Sequence, residues 1–162
     1  MTTMQKILEI LENNCNTPLE QIALLTDMTS AEVAAAIDTL RNDKVILKNK
    51  SVINWEKTNK EFVTALIELK VTPQRGEGFD KIAERIYKFP EVKAVYLMAG
   101  AFDLTVIIEG KTMKEVALFV ANRLAPMESV ISTGTHFVLK KYKDEGINFD
   151  DDEQVGRQVI SF

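Results

Sequence analysis

The chain has 162 residues, 46% of them hydrophobic and 27% charged, with a formal net charge of −4. That composition fits a soluble globular protein of one or two small domains and excludes a polyelectrolyte binder in which the whole chain carries the charge. A single cysteine (Cys15) excludes an internal disulfide, and with a single histidine (His136) it argues against a zinc or Cys/His catalytic set.

A reducing, cytoplasmic setting fits the cysteine usage. There is no basic-then-apolar leader and no run of 18 apolar residues, so neither export nor membrane insertion is expected. No Gly-rich phosphate loop is present, and no cofactor is implied.

Met4, Ile7, Leu8 and Leu11 recur at helical spacing and predict a helix over 3–13. Cys15 follows as a small residue near its end. Thr17-Pro18-Leu19-Glu20 carries an N-cap threonine, a proline at the first helical position and a glutamate at N3. A second helix is expected to start there, with Ile22, Ala23 and Leu25 inward. Thr29-Ser30-Ala31-Glu32 is another capping box. It opens a helix over 30–42 with Val33, Ala36, Ile37 and Leu40 inward. The β-prone runs 45–47 and 51–55 flank a basic tip, Lys48-Asn49-Lys50. Helix, helix, turn, helix and a small hairpin is the plan of a winged helix-turn-helix over 1–55, with the third helix offered to the major groove. A plain three-helix bundle is the alternative.

Charge weighs on the DNA reading. Over 1–55, five basic residues face seven acidic ones, so the segment carries −2, whereas DNA affinity rests on Lys and Arg neutralising phosphates. The third helix has Ala34-Ala35-Ala36 and Asp38 where Arg, Lys or Gln would read bases. One copy is not expected to bind strongly. The helix N-terminus and the lysine tip still suit phosphate, and an oligomer would compensate through avidity.

Glu56-Lys57-Thr58-Asn59-Lys60-Glu61 is wholly polar and reads as the linker (56–61) between two domains. Beyond it, 62–71 is a strand and 72–78 a loop. Residues 79–89 form a helix with Phe79, Ile82, Ala83, Ile86 and Tyr87 inward, stopped by Pro90. Residues 92–98 and 102–109 form a hairpin around Ala99-Gly100-Ala101. Thr112-Met113-Lys114-Glu115 is a third capping box, and its helix turns Met113, Val116, Ala117, Phe119, Val120 and Leu124 inward. Residues 130–142 are the last strand. This β-α-β-β-α-β order over 62–143 predicts a ferredoxin-like domain, α+β in class, with both helices on one face of a four-stranded antiparallel sheet. The other, apolar face is expected to associate with a second copy.

Two polar clusters interrupt the apolar strands. Gly100 permits a positive φ or a close backbone approach. Asp103 is a carboxylate in an apolar strand, where it either bonds the backbone of its own turn or meets a ligand. Ser132-Thr133-Gly134-Thr135 reflects either threonine's β propensity or a binding surface. Hydroxyls and a carboxylate suit the ammonium and carboxylate of an amino acid.

Phe89-Pro90-Glu91-Val92, Gly100-Ala101-Phe102-Asp103 and Val130-Ile131-Ser132-Thr133-Gly134-Thr135, in this order behind a helix-turn-helix, resemble the Lrp/AsnC feast/famine regulators. The family's G-x-[YF]-D and V-x-S-T-x-T patterns match at Gly100, Phe102, Asp103, Val130, Ser132, Thr133 and Thr135. The resemblance implies a transcriptional regulator. Its C-terminal domains pair sheet to sheet into homodimers, and dimers assemble into tetramers or octamers. An amino acid or related metabolite would bind between dimers near Met98, Ala99, Gly100, Ala101, Phe102 and Asp103, with Ser132, Thr133 and Thr135. Duplex DNA would meet Thr29, Ser30, Ala31, Ala34, Ala35, Asp38 and Arg41 of the third helix, and Lys48, Asn49 and Lys50. The sequence departs from the family at Ala36, where arginine is usual, at Lys44, where glycine is common, and at Met4-Gln5-Lys6-Ile7-Leu8, which replaces an acidic opening.

The tail, 144–162, contains the acidic run Asp150-Asp151-Asp152-Glu153, read as solvated, and Val159-Ile160, a candidate contact with a neighbouring subunit. The alternative to a DNA-binding regulator is a metabolite-sensing oligomer with weak or lost DNA binding, acting through protein partners. An enzyme is not expected, because no nucleophile–base pair or metal cluster is present and His136 stands alone on a strand.

Overall fold

Helix α1 (Thr3–Asn13) starts at a capping box of its own, in which the Gln5 N–H donates to the Thr2 hydroxyl and the Thr2 N–H to the Gln5 side chain. Ile7 is fully buried, Leu8, Ile10 and Leu11 are partly covered, and Met4 is exposed. Helix α2 (Leu19–Thr26) corrects the expected start. Pro18 is the N-cap, no side chain caps that end, and the Thr17 hydroxyl donates to the Asn14 carbonyl at 2.8 Å instead. A threonine engaged in the preceding turn is not available to the helix. Leu25 is also exposed rather than inward. Thr26 takes the buried position, its hydroxyl donating to the Ile22 carbonyl at 2.7 Å.

Helix α3 (Ser30–Asn42) has the expected capping box between Thr29 and Glu32, and it buries Val33, Ile37 and Leu40 against Ile7, Ile22 and Ala23. It ends in a Schellman motif. The Val45 N–H donates to the Leu40 carbonyl at 2.9 Å and the Lys44 N–H to the Arg41 carbonyl at 3.1 Å, with Lys44 left-handed at φ +60°. Lysine occupies the position where glycine carries no Cβ penalty. Lys44→Gly is therefore expected to raise stability by about 0.5–1 kcal/mol, the relieved strain exceeding the added freedom of the unfolded chain. The urea midpoint should rise with its slope unchanged.

The expected wing is not a paired hairpin. Residues 45–53 carry no strand, Val45, Leu47, Val52 and Ile53 are exposed, and Trp55 enters a single 3-10 turn (Trp55–Lys57) capped by the Asn54 side chain. A two-stranded ribbon with no face to bury is marginal on its own. The computed structural model describes residues 2–73, 76 and 78–149, and the chain divides into two units between Val52 and Ile53. The acidic run and Val159-Ile160 lie outside the described residues.

In the second unit, strands β1 (Val63–Val71), β2 (Val92–Leu97), β3 (Leu104–Gly110) and β4 (Val130–Phe137) form one antiparallel sheet in the order β2-β3-β1-β4. Helices α4 (Gly78–Tyr87) and α5 (Met113–Phe119), the latter extended by a π-turn (Val120–Leu124), cover one face. Ala65, Ile67, Leu69, Leu104, Val106 and Ile108 meet Ile82, Ile86, Val116, Phe119, Val120 and Leu124 there. Each large side chain so buried contributes about 1.5–3 kcal/mol against exposure. Phe89 stands edge-on to Phe119, with ring centroids 5.3 Å apart. Tyr87, Met113 and Ala117, expected inward, are exposed. At α5, Thr112 accepts the Glu115 N–H, but the Glu115 carboxylate takes the Lys111 N–H at 2.6 Å, so the third capping box is displaced by one residue.

The open face carries Leu66, Ile107 and Tyr96 among Thr64, Glu68, Lys70 and His136, following the pairs Leu66↔His136 and Tyr96↔Thr105. It is mixed rather than uniformly apolar. After β4, strands β5 (Lys143–Asp144) and β6 (Ile147–Asn148) pair around Glu145 and Gly146, at φ 49° and 77°. Two positive-φ residues make the turn whose twist suits a tight hairpin.

Candidate functional site

The β3-β1-β4 order brings the two polar clusters of the sequence to one end of the sheet. Leu69 pairs with Leu104 on one side and Thr133 on the other, so Asp103 and residues 132–133 flank the end of β1. Two strand spacings separate them, roughly 10 Å. The main chain of Asp103 closes the hairpin through its carbonyl, which accepts from the Met98 N–H (2.8 Å), and reaches across to β1 through its N–H, which donates to the Leu69 carbonyl (2.9 Å).

Its carboxylate does not bond its own turn. Asp103 Oδ2 accepts the N–H of Val71 at 2.8 Å, on the neighbouring strand. The reason lies in the register. The β1–β3 ladder ends at the Leu69–Leu104 pair, so Val71 lies past it, and Asp103 supplies the acceptor that β3 no longer offers. On the β4 side the register shifts between Lys70 and Val71, with Ile131 as the extra, exposed residue. Asp103 and Phe102 are half-buried, while Met98, Ala99, Gly100 and Ala101 form an exposed tip.

Gly100 has no positive φ, and a Cβ built on it meets nothing within 4 Å. Neither reason for a glycine there operates within this chain. The hydroxyl cluster is divided by the pleat. Thr133 and Thr135 lie opposite Leu69 and Ile67 on the helix-covered side, and Ser132 and Gly134 opposite Lys70 and Glu68 on the open side. Only Ser132 and Thr133 reach the Asp103 end. His136 sits farther along, its Nε2 3.4 Å from Glu68 Oε2.

In the first unit, Thr29, Ala31, Ala35, Asp38 and Arg41 are exposed and Ser30 and Ala34 half-buried, so the expected DNA residues share one accessible side of α3 and its start. Lys48, Asn49 and Lys50 are exposed, outside any helix or strand. Two features of this surface bear on its charge. Glu32 folds back on the helix start, where the N–H and then the hydroxyl of Thr29 hold its carboxyl below the usual carboxylate range. Arg41 contacts Asp38 at 3.5 Å. A phosphate approaching the N-terminus of α3 therefore meets a carboxylate, and the arginine of this helix is shared with an aspartate. No helix among the described residues is long and apolar enough to cross a membrane.

Residues 64–147 match the family described as the Lrp/AsnC ligand binding domain. The chain is 48% identical over 157 residues to the HTH-type transcriptional regulator YugG of Bacillus subtilis (strain 168), covering 96% of this chain and 95% of that one. It is 31% identical over 140 residues to the HTH-type transcriptional regulator FL11 of Pyrococcus furiosus, covering 86% and 89%. Among solved structures, a transcriptional regulator of Neisseria meningitidis in complex with L-Met superposes with a TM-score of 0.70 at 19% identity, over 89% of this chain and 92% of that one. The structural likeness concerns the fold.

Proposed function

The chain belongs to the Lrp/AsnC family of helix-turn-helix transcriptional regulators with a ligand-binding domain, and on that premise we propose that it binds operator DNA under the control of an amino acid or a related small metabolite. The effector site is the Asp103 end of the sheet, formed by residues 98–103 with Ser132 and Thr133, and Thr135 deeper along β4. The observation that carries this reading is that the sheet order puts the half-buried Asp103 carboxylate and the hydroxyl-bearing Ser132 and Thr133 at one end of the sheet, on either side of the end of β1; a carboxylate and hydroxyls suit an ammonium and a carboxylate. The neighbour solved with L-Met supports the class of ligand.

Homodimers form through the open sheet face, and dimers assemble further, with the effector between them. The exposed tip at Gly100, where an added Cβ would meet nothing within 4 Å among the described residues, is consistent with a second copy or a ligand approaching it. Effector binding would then bias the arrangement of dimers, and with it the spacing of the DNA-reading helices. Residues 56–61 serve as the joint, and the protein acts in the cytoplasm.

DNA contact runs through the start of α3, Arg41 and the lysine segment 48–50. Fluorescence anisotropy of the duplex upstream of the protein's own gene, at two salt concentrations, tests this. Binding that outcompetes random DNA and weakens with salt is expected. Lys48→Ala or Lys50→Ala should each weaken it about two- to fivefold and flatten the salt slope by about one unit. Unchanged binding in both variants would remove 48–50 from the interface. The Glu32 and Asp38 carboxylates favour a second reading, a metabolite-sensing oligomer that acts through protein partners. Its signature is effector binding without duplex affinity even at low salt.

A further inference from the structure

A second constellation lies at the opposite end of β1 from Asp103. Residues 53–64 and the segment from Val138 to Phe149 line an open-mouthed cavity of about 380 Å³. Its walls are pinned by named bonds. The Val138 N–H donates to the Thr64 carbonyl (2.9 Å), the Phe149 N–H to the Tyr142 carbonyl (2.9 Å), and the Asn54 amide to the Phe149 carbonyl (3.4 Å). The β5–β6 hairpin thus holds Phe149 against the turn that bears Trp55.

The lining combines rings with cations. Trp55, Phe62 and Phe149, all half-buried, supply aromatic surface, and four lysines, of which Lys141 is paired with Asp144 at 3.0 Å, stand against two glutamates around it, in a chain that is acidic overall. The Lys60 ammonium lies 4.0 Å from the Trp55 ring centroid and 5.4 Å from that of Phe62. An ammonium over two ring faces is attracted by their quadrupoles and keeps its full charge for an anion arriving beside them. Cavities of this volume with aromatic walls and a few charged groups take small molecules.

We propose that this cavity is a second ligand site, separate from the Asp103 end, for a planar aromatic molecule carrying a negative charge. The ring of the ligand lies against Trp55 and Phe62, and its anionic group meets Lys60 and Lys111. A phosphate ester such as a nucleotide and an aromatic carboxylate share this chemistry. Trp55 is the single tryptophan of the chain, so all tryptophan emission comes from the wall of this cavity.

Full-length protein titrated with AMP and with phenylacetate, each against its neutral counterpart (adenosine, phenylacetamide), tests the proposal. A saturable change in Trp55 emission is expected with at least one anion, about tenfold weaker with the neutral molecule. Response to AMP alone identifies a phosphate ester, to phenylacetate alone a carboxylate. Lys60→Ala should weaken binding about fivefold, while Asp103→Asn leaves it unchanged. Should Lys60→Ala fail to fold, Lys111→Gln, an exposed side chain, takes its place with the same expected direction. No saturable change up to about 10 mM of either anion, an equal response to the neutral molecules, or indifference to both lysine variants would overturn it.

Discussion

Asp103→Asn is expected to leave the fold nearly as stable as the unaltered chain while lowering amino-acid affinity about 100-fold. The amide keeps an oxygen that accepts the Val71 N–H, now bonded to Oδ2 at 2.8 Å, so the end of β1 keeps its acceptor. What is lost is the negative charge, and a charge-assisted bond to an ammonium is roughly twice as strong as a neutral one. Losing it in a half-buried site is worth about 2–3 kcal/mol, hence the 100-fold. Asp103→Ala loses both roles. It strands the Val71 N–H and should cost about 1–3 kcal/mol of stability on top of the lost affinity. Urea unfolding of both variants, with calorimetric titration of whichever standard amino acid most raises the melting temperature of the unaltered protein, separates the two roles. If Asp103→Asn binds that amino acid normally, the carboxylate serves the strand end and the effector lies elsewhere.

The order of elements was legible in the sequence because it rests on local signals. Thr29 and Glu32 fix the start of α3 through bonds three residues apart. The hairpin about 98–103 follows from two apolar runs and a small-residue break. Partners set by strand order were not legible. Nothing near Asp103 in sequence points to Val71, 32 residues away, and only the β3-β1-β4 arrangement brings them together. The division of the hydroxyl cluster was not legible for a related reason. Four consecutive polar residues read as one patch, but the pleat sends alternate members to opposite faces, so Thr133 and Ser132 diverge.

The wing shows the limit of propensity. Residues 45–47 and 51–55 have β-forming side chains, yet a strand needs a partner and a face to bury; among the described residues this segment has no paired strand, and of 45–47 only Ile46 packs on the helical core. The β5–β6 hairpin was missed for the opposite reason. Its strands are two residues each, too short for any periodic signal, and only the Glu145-Gly146 pair marked the turn. That hairpin carries Phe149 to the cavity at Trp55.

The charge of α3 yields the prediction that bears most directly on whether this regulator grips DNA tightly. Asp38→Lys is expected to raise duplex affinity about tenfold at low salt and to steepen the logarithmic salt dependence by one to two units. The substitution replaces an exposed carboxylate by an ammonium and frees Arg41, now 3.5 Å from Asp38. The 1–55 segment then moves from −2 to neutral, since one acidic residue becomes basic. Stability should change little, because an exposed i,i+3 pair with both side chains more than half accessible contributes at most about 0.5 kcal/mol. Asp38→Ala divides the effect: it frees Arg41 without adding a charge and should give about a threefold gain. Gains that vanish at high salt would fix α3 as the face toward phosphate. A gain in Asp38→Lys from no binding at all would mean that the native acidic helix has been tuned away from DNA, the signature of the partner-protein reading. No change in either variant would mean that α3 does not face the duplex, and the lysines at 48 and 50 would then have to carry the contact alone.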